Sequence, residues 1–203
     1  MRKRVGVLVS GRGSNLQALL DACADPAFPA EIVLVISNIP GVFALERAEK
    51  AGIATRVIPH KGFASREAFD AEMDRELRAA GIEIVCLAGF MRLLSADFVT
   101  SWRDRMINIH PALLPSFKGL HTHRRAIEAG VKLHGCTVHL VTADLDDGPI
   151  LVQDAVPVLA ADTEDTLAAR VLEREHKAYP LALRLLAEGR VTVEGNRALI
   201  RDE

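Results

Sequence analysis

Val5-Gly6-Val7-Leu8-Val9-Ser10-Gly11-Arg12-Gly13-Ser14-Asn15-Leu16 decides the fold class of this chain. An apolar, largely β-branched run stops at a glycine-rich turn, and a segment with helical periodicity follows over residues 16–24. A strand without polar alternation is buried on both faces, the situation of a parallel sheet covered by helices. The same unit recurs. Residues 32–37, 55–58, 84–88 and 106–110 read as strands; residues 42–51, 65–80 and 95–102 read as the helices between them. The expected fold is α/β: a Rossmann-like, mostly parallel sheet flanked by helices. Such sheets bind ligands at the carboxyl ends of their strands, near a switch in strand order. Residues 11–15 and 108–115 both lie at strand ends of that kind.

Beyond residue 130 the pattern changes. Residues 136–142 alternate, a turn follows at Asp144-Leu145-Asp146-Asp147-Gly148-Pro149, and residues 150–158 read as a second strand. That predicts an antiparallel hairpin added to the sheet. A long helix is expected over residues 163–188, opened by Glu164 and Asp165 and kinked at Pro180. Residues 191–193 and 198–200 suit a small terminal hairpin. The 203 residues fit one domain with two parts, about 1–110 and about 111–203.

Composition narrows the function. A net charge of -2 argues against broad nucleic-acid binding. No apolar stretch is long enough to span a membrane, and the basic start Met1-Arg2-Lys3-Arg4 precedes too short an apolar run for a signal peptide. A cytoplasmic protein is expected. Cys23, Cys86 and Cys136 are far apart, so neither a disulfide framework nor a zinc site is suggested. His121 and His123 lack a third ligand at any recognisable spacing, and no metal is expected.

Four constellations carry chemistry. The loop Ser10-Gly11-Arg12-Gly13-Ser14-Asn15 precedes a helix, where free N–H groups suit a phosphate; the alternative is a turn capped by Ser14 or Asn15. A dinucleotide fingerprint would need glycine at position 16, where Leu16 stands, so a nicotinamide cofactor is weakly supported. Asn108 and His110, two residues apart at a strand end, point to one side and can converge on a forming oxyanion. Asp146 in the 144–149 turn is a carboxylate that would favour a protonated imidazole if the fold brings it to His110. Asp144 and Asp147 read as ordinary turn formers. Glu175 interrupts a stripe of Ala168, Leu172, Tyr179, Ala182 and Leu186, and needs either an arginine partner or a polar ligand. Arg66 and Arg92 stand at or beside element starts, solvated or paired unless a ligand claims them.

These segments, with Leu87-Ala88-Gly89-Phe90-Met91-Arg92-Leu93-Leu94 and Gly119-Leu120-His121-Thr122-His123, closely resemble the phosphoribosylglycinamide formyltransferases, folate-dependent enzymes of purine biosynthesis. The match runs in order from residue 5 to about 190. The 108–115 segment is shared across formyltetrahydrofolate enzymes; the Gly13-Ser14-Asn15 loop, residues 119–123 and Glu175-His176 narrow it to the glycinamide ribonucleotide group. The resemblance implies that Asn108, His110 and Asp146 are catalytic. It implies that Gly13, Ser14, Asn15 and Glu175 hold glycinamide ribonucleotide. Arg66, Met91, Arg92, Leu93, Leu94 and Asn108 would line the folate site, with 10-formyltetrahydrofolate as donor and no metal. The two parts then become a phosphate-binding half and a half bearing the folate-site loop, hairpin and long helix. Ala112 and Lys118 depart from the family pattern, which usually has serine and proline there. The implied partners are these small molecules, not nucleic acid or membrane, and the chain would be a monomer or homodimer. The rival reading is a formyltetrahydrofolate hydrolase; those enzymes usually carry an added N-terminal domain, whereas this sequence opens on its first strand.

Overall fold

The computed structural model describes residues 1–202. Its elements run β1 (Lys3–Val9), α1 (Ser14–Ala24), β2 (Ala30–Ser37), α2 (Phe43–Lys50), β3 (Ala54–Val57), α3 (Arg66–Ala79), β4 (Ile84–Leu87), α4 (Ala96–Ser101) and β5 (Met106–His110). Then come α5 (Thr122–Glu128), β6 (Leu133–Leu140), β7 (Ile150–Pro157), α6 (Glu164–Ala187), β8 (Val191–Glu194) and β9 (Arg197–Ile200). Seven strands form one sheet in the order β3-β2-β1-β4-β5-β6-β7; β8 and β9 form a separate antiparallel hairpin. The first five strands are parallel, and β6 and β7 are antiparallel to their neighbours. The chain builds outward from β1 to β3, then returns to place β4 on the other side of β1. That reversal opens the crevice at the carboxyl ends of β1 and β4.

Period-two side-chain alternation divides the apolar residues between two cores. Val5, Val7, Val9, Cys86, Ile107 and Ile109 pack beneath α1, α2 and α6. Leu8, Leu34, Ile36, Val85, Leu87 and Met106 pack against Phe69, Met73 and Leu77 of α3 and against Phe98, Val99 and Trp102. Asn108 and His110 share Met106's side of β5 by the same alternation. Tyr179 of α6 crosses beneath the sheet and donates its hydroxyl to the carbonyl of Leu87 at 2.7 Å.

Two expectations need correction, and one element was missed. Residues 136–142 do not alternate in burial: β6 is buried from His134 through Leu140, because it lies inside the sheet between β5 and β7. The inward face of α6 is centred elsewhere than the predicted stripe. Leu167, Val171, Ala178 and Leu183 are buried with Glu175, Tyr179 and Ala182, whereas Ala168, Leu172 and Leu186 are only half-buried. Both faces are apolar enough to satisfy a period count, and contact with α1, β6 and β7 selects one. The short helix α5 was not anticipated at all. The helix α6 is continuous through Pro180, whose ring nitrogen offers no N–H to the preceding turn.

Candidate active site

The strand β5 ends at His110, and the chain turns at once into a loop that folds back over it. His110 is nearly buried, and its Nε2 donates to the carbonyl of Phe117 at 2.9 Å. Its other nitrogen, Nδ1, lies 3.4 Å from Oδ2 of Asp146. Both ring nitrogens face acceptors, so the doubly protonated ring has a partner for each N–H. Asp146 arrives from the turn between β6 and β7, buried like His110, with φ at 50°. Its Oδ2 also accepts the N–H of Gly119 at 2.9 Å. One carboxylate thus ties the covering loop to the imidazole.

Asn108 sits opposite His139 in the β5–β6 register. Its Nδ2 lies 3.3 Å from Nε2 of His139, whose Nδ1 bonds the Leu140 carbonyl at 2.9 Å. A carbonyl only accepts, so Nδ1 carries the proton and Nε2 receives the asparagine amide. Burial lowers the pKa of His139 and keeps it neutral. His139 Nε2 is also 3.8 Å from Oδ1 of Asp146. The structure therefore brings Asn108, His110 and Asp146 together and adds His139, which sequence reasoning missed. The signal was its place in the strand paired with β5, visible only once the register is known.

The phosphate-loop reading gains geometry. The α1 helix starts at Ser14 behind an N-cap, Gly13, at φ 74°, and no side chain caps it. The alternative, a turn capped by Ser14 or Asn15, is therefore not what forms: the N-cap is Gly13 and no side chain caps the helix. Gly13 is required twice over: its φ is left-handed, and a Cβ there would stand 2.7 Å from Cβ of Ala44. Arg47 of α2 donates to the Arg12 carbonyl at 2.9 Å and so fixes the loop from beneath. The Arg12 side chain is exposed.

Asn15 points along α1 toward α6, and its Nδ2 donates to Oε2 of Glu175 at 2.7 Å. The partner of Glu175 is thus an amide, not the arginine that was one of the two readings. Burial raises the Glu175 pKa and the Asn15 bond opposes that rise. Oδ1 of Asn15 is buried with no hydrogen-bond partner. An acceptor without a donor beside a buried carboxylate suits a cationic or amine ligand.

The predicted folate-site residues lie in the segment between β4 and α4 and at the start of α3. Met91 and Leu93 are largely exposed apolar side chains, and Leu94 is half-buried against the second core. Arg66 opens α3, exposed, with Nη2 3.5 Å from Oε1 of Glu67. Arg92 is exposed beside them. Lys118 pairs with Asp147, and Ala112 is fully buried. His121 occupies the N-cap of α5 at φ 55°. His123 Nδ1 contacts Nε2 of His134 at 3.2 Å, and His134 packs edge-on against Phe117. Among the described residues no cluster of three His, Cys, Asp or Glu could hold a metal, and no helix is long and apolar enough to cross a membrane.

Similarity to known proteins fits this geometry. The family model described as "Formyl transferase" matches residues 3–183. The chain is 57% identical over 190 residues to the trifunctional purine biosynthetic protein adenosine-3 of Drosophila melanogaster, covering 93% of this chain and 14% of that protein. The chain therefore spans only a small part of such long relatives. It is 48% identical to phosphoribosylglycinamide formyltransferase of Escherichia coli (strain K12), covering 95% of this chain and 91% of that one. Among solved structures, glycinamide ribonucleotide transformylase 1 from Symbiobacterium toebii superposes with a TM-score of 0.97 at 49% identity. That match covers 99% of this chain and 95% of the other.

Proposed function

The chain belongs to the formyl transferase family, and from that premise we propose that it transfers the formyl group of 10-formyltetrahydrofolate to the amine of glycinamide ribonucleotide. The products are formylglycinamide ribonucleotide and tetrahydrofolate, a step of purine biosynthesis. One observation carries the reading: a half-buried amide, a buried imidazole and a buried carboxylate gather at the end of β5, with no cysteine or serine among them.

The amine attacks the formyl carbon directly and a tetrahedral oxyanion forms. The Asn108 amide and a His110 N–H stabilise it. In the present structure Phe117's carbonyl accepts that N–H, and the oxyanion takes its place. Asp146 orients the ring and assists movement of the proton from the amine toward N10 of the departing folate. A cysteinyl intermediate is disfavoured: burial raises Cys23 to about 11 and Cys136 to about 12, and raises Cys86 further.

Gly13, Ser14 and Asn15 receive the substrate phosphate on the first turn of α1. Glu175 and the unpartnered Oδ1 of Asn15 receive the glycinamide end. Met91, Leu93 and Leu94 supply an apolar wall for the folate ring system, with Arg66 and Arg92 placed for its carboxylates. Asn108→Ala or His110→Ala should lower kcat by roughly 100-fold or more, with the melting temperature nearly retained. Loss of fold in step with loss of rate would oppose the assignment.

A further inference from the structure

The segment carrying Met91, Arg92, Leu93 and Leu94 forms no helix or strand, yet it must present an apolar wall at a fixed distance from Asn108. Its two ends are held by side chains from elsewhere in the chain. At the head, the N–H of Met91 donates to Oγ of Ser10 at 2.9 Å. That hydroxyl in turn donates to Oδ1 of Asn38 at 2.6 Å, and Nδ2 of Asn38 lies 3.3 Å from Nδ1 of His60. Ser10 and Asn38 are both buried. At the tail, the N–H of Ser95 donates to Oδ2 of Asp70 at 2.5 Å. Asp70 is 1% exposed, and its Oδ1 has no hydrogen-bond partner.

A buried carboxylate with one oxygen unsatisfied is costly, so its place on α3 calls for a reason. The same helix already has a second polar tie to this region: Nε1 of Trp102 donates to Oδ1 of Asp74 at 2.9 Å. What Asp70 does that Asp74 does not is fix the residue directly after Leu94. Ser95 is also the N-cap of α4, accepting the Phe98 N–H, so the point fixed is where the segment joins a rigid element. Asp70 lies one turn from Arg66 on α3, so the same helix carries the clamp and a cation of the crevice.

We propose that Ser10 and Asp70 are positioning residues of the donor site, clamping the 91–94 segment at its two ends. The proposal rests on the formyl-transfer reading above, in which that segment walls the folate. Ser10 immediately precedes Gly11, so one clamp is built from the same loop that receives the phosphate. Neither side chain touches the reacting atoms.

The test measures steady-state kinetics with both substrates and tetrahydrofolate binding by calorimetry. Ser10→Ala and Asp70→Ala should each raise the donor KM and the tetrahydrofolate Kd roughly tenfold, the loss expected for one buried hydrogen bond. The KM for glycinamide ribonucleotide should move by less than about twofold. Ser10→Thr and Asp70→Asn, which keep an acceptor oxygen, should recover most of the affinity. Asp74→Ala should lower the melting temperature and leave the donor KM in place. Should Asp70→Ala fail to fold, Ser10→Ala decides alone. Unchanged donor KM in folded Ser10→Ala and Asp70→Ala would overturn the clamp while the transfer reading stands. So would a donor KM that rises equally in Asp74→Ala. A wild-type protein that neither transfers formyl nor binds tetrahydrofolate removes the transfer reading and the clamp with it.

Discussion

Replacing Gly13 with alanine sets two separable costs against the loop that begins α1. The left-handed φ of 74° costs a non-glycine residue about 1–2 kcal/mol. The added Cβ would lie 2.7 Å from Cβ and 2.8 Å from Cα of Ala44, far inside the contact optimum. Because one of those atoms is backbone, α2 must shift, at about 1–3 kcal/mol. Reduced freedom of the unfolded chain returns about 0.4–1 kcal/mol. The net loss is about 1–4.5 kcal/mol, a fall in Tm of about 2–18 °C for a chain of this size. Gly11 supplies the control: an added Cβ meets nothing within 4 Å, so Gly11→Ala should stay within about 0.5 kcal/mol of wild type. Denaturant unfolding of both variants gives the difference, and kinetics should show a raised KM for the phosphate-bearing substrate in Gly13→Ala. Equal stability of the two variants would refute the argument that close approach to Ala44 dictates this glycine.

Two further outcomes follow from buried groups. Glu175→Gln should raise the KM for glycinamide ribonucleotide about 10- to 100-fold, since a charged acceptor is lost. Burial raises the folded pKa of Glu175, so its ionisation opposes folding above the ordinary carboxylate range; the variant should melt at the same temperature or higher at pH 7. A lower Tm with unchanged KM would contradict this. His134 is lowered to about 4 by burial, with His123 and His110 adding to the effect. The unfolded chain then binds more protons between about pH 6.5 and 4, so stability is lost as pH falls through that window, by up to about 3 kcal/mol. His134→Gln should flatten that dependence, and identical pH profiles for variant and wild type would count against it.

The parallel half of the fold was legible because its signals are local. The run 5–10, its glycine turn and the helix after it are adjacent in sequence, and burial on both faces writes itself as unbroken apolar residues. The pair Asn108 and His110 was legible for the same reason, two residues apart on one strand. Asp146 was legible only as a candidate, since its meeting with His110 depends on how β6 and β7 add to the sheet. His139 was not legible, because only the antiparallel register places it opposite Asn108. Helix α5 escaped because Thr122-His123-Arg124-Arg125-Ala126-Ile127-Glu128 is short and polar and buries only Thr122 and Ala126. It starts at a left-handed histidine with no side-chain cap, so neither periodicity nor capping announces it. Glu175 was singled out correctly as an inward carboxylate, but its amide partner lies 160 residues away. Long-range pairing of that kind leaves no trace in a single sequence.

The measurement that bears most directly on the central claim is release of tetrahydrofolate from 10-formyltetrahydrofolate, followed with and without glycinamide ribonucleotide. On the proposed reading the constellation at the end of β5 would stabilise an oxyanion whatever attacks, so the attacking group is what the assay must identify. Direct transfer predicts release that depends strictly on the amine and matches formylglycinamide ribonucleotide formed one for one. Release at the same rate without the amine would make water the acceptor and contradict the account.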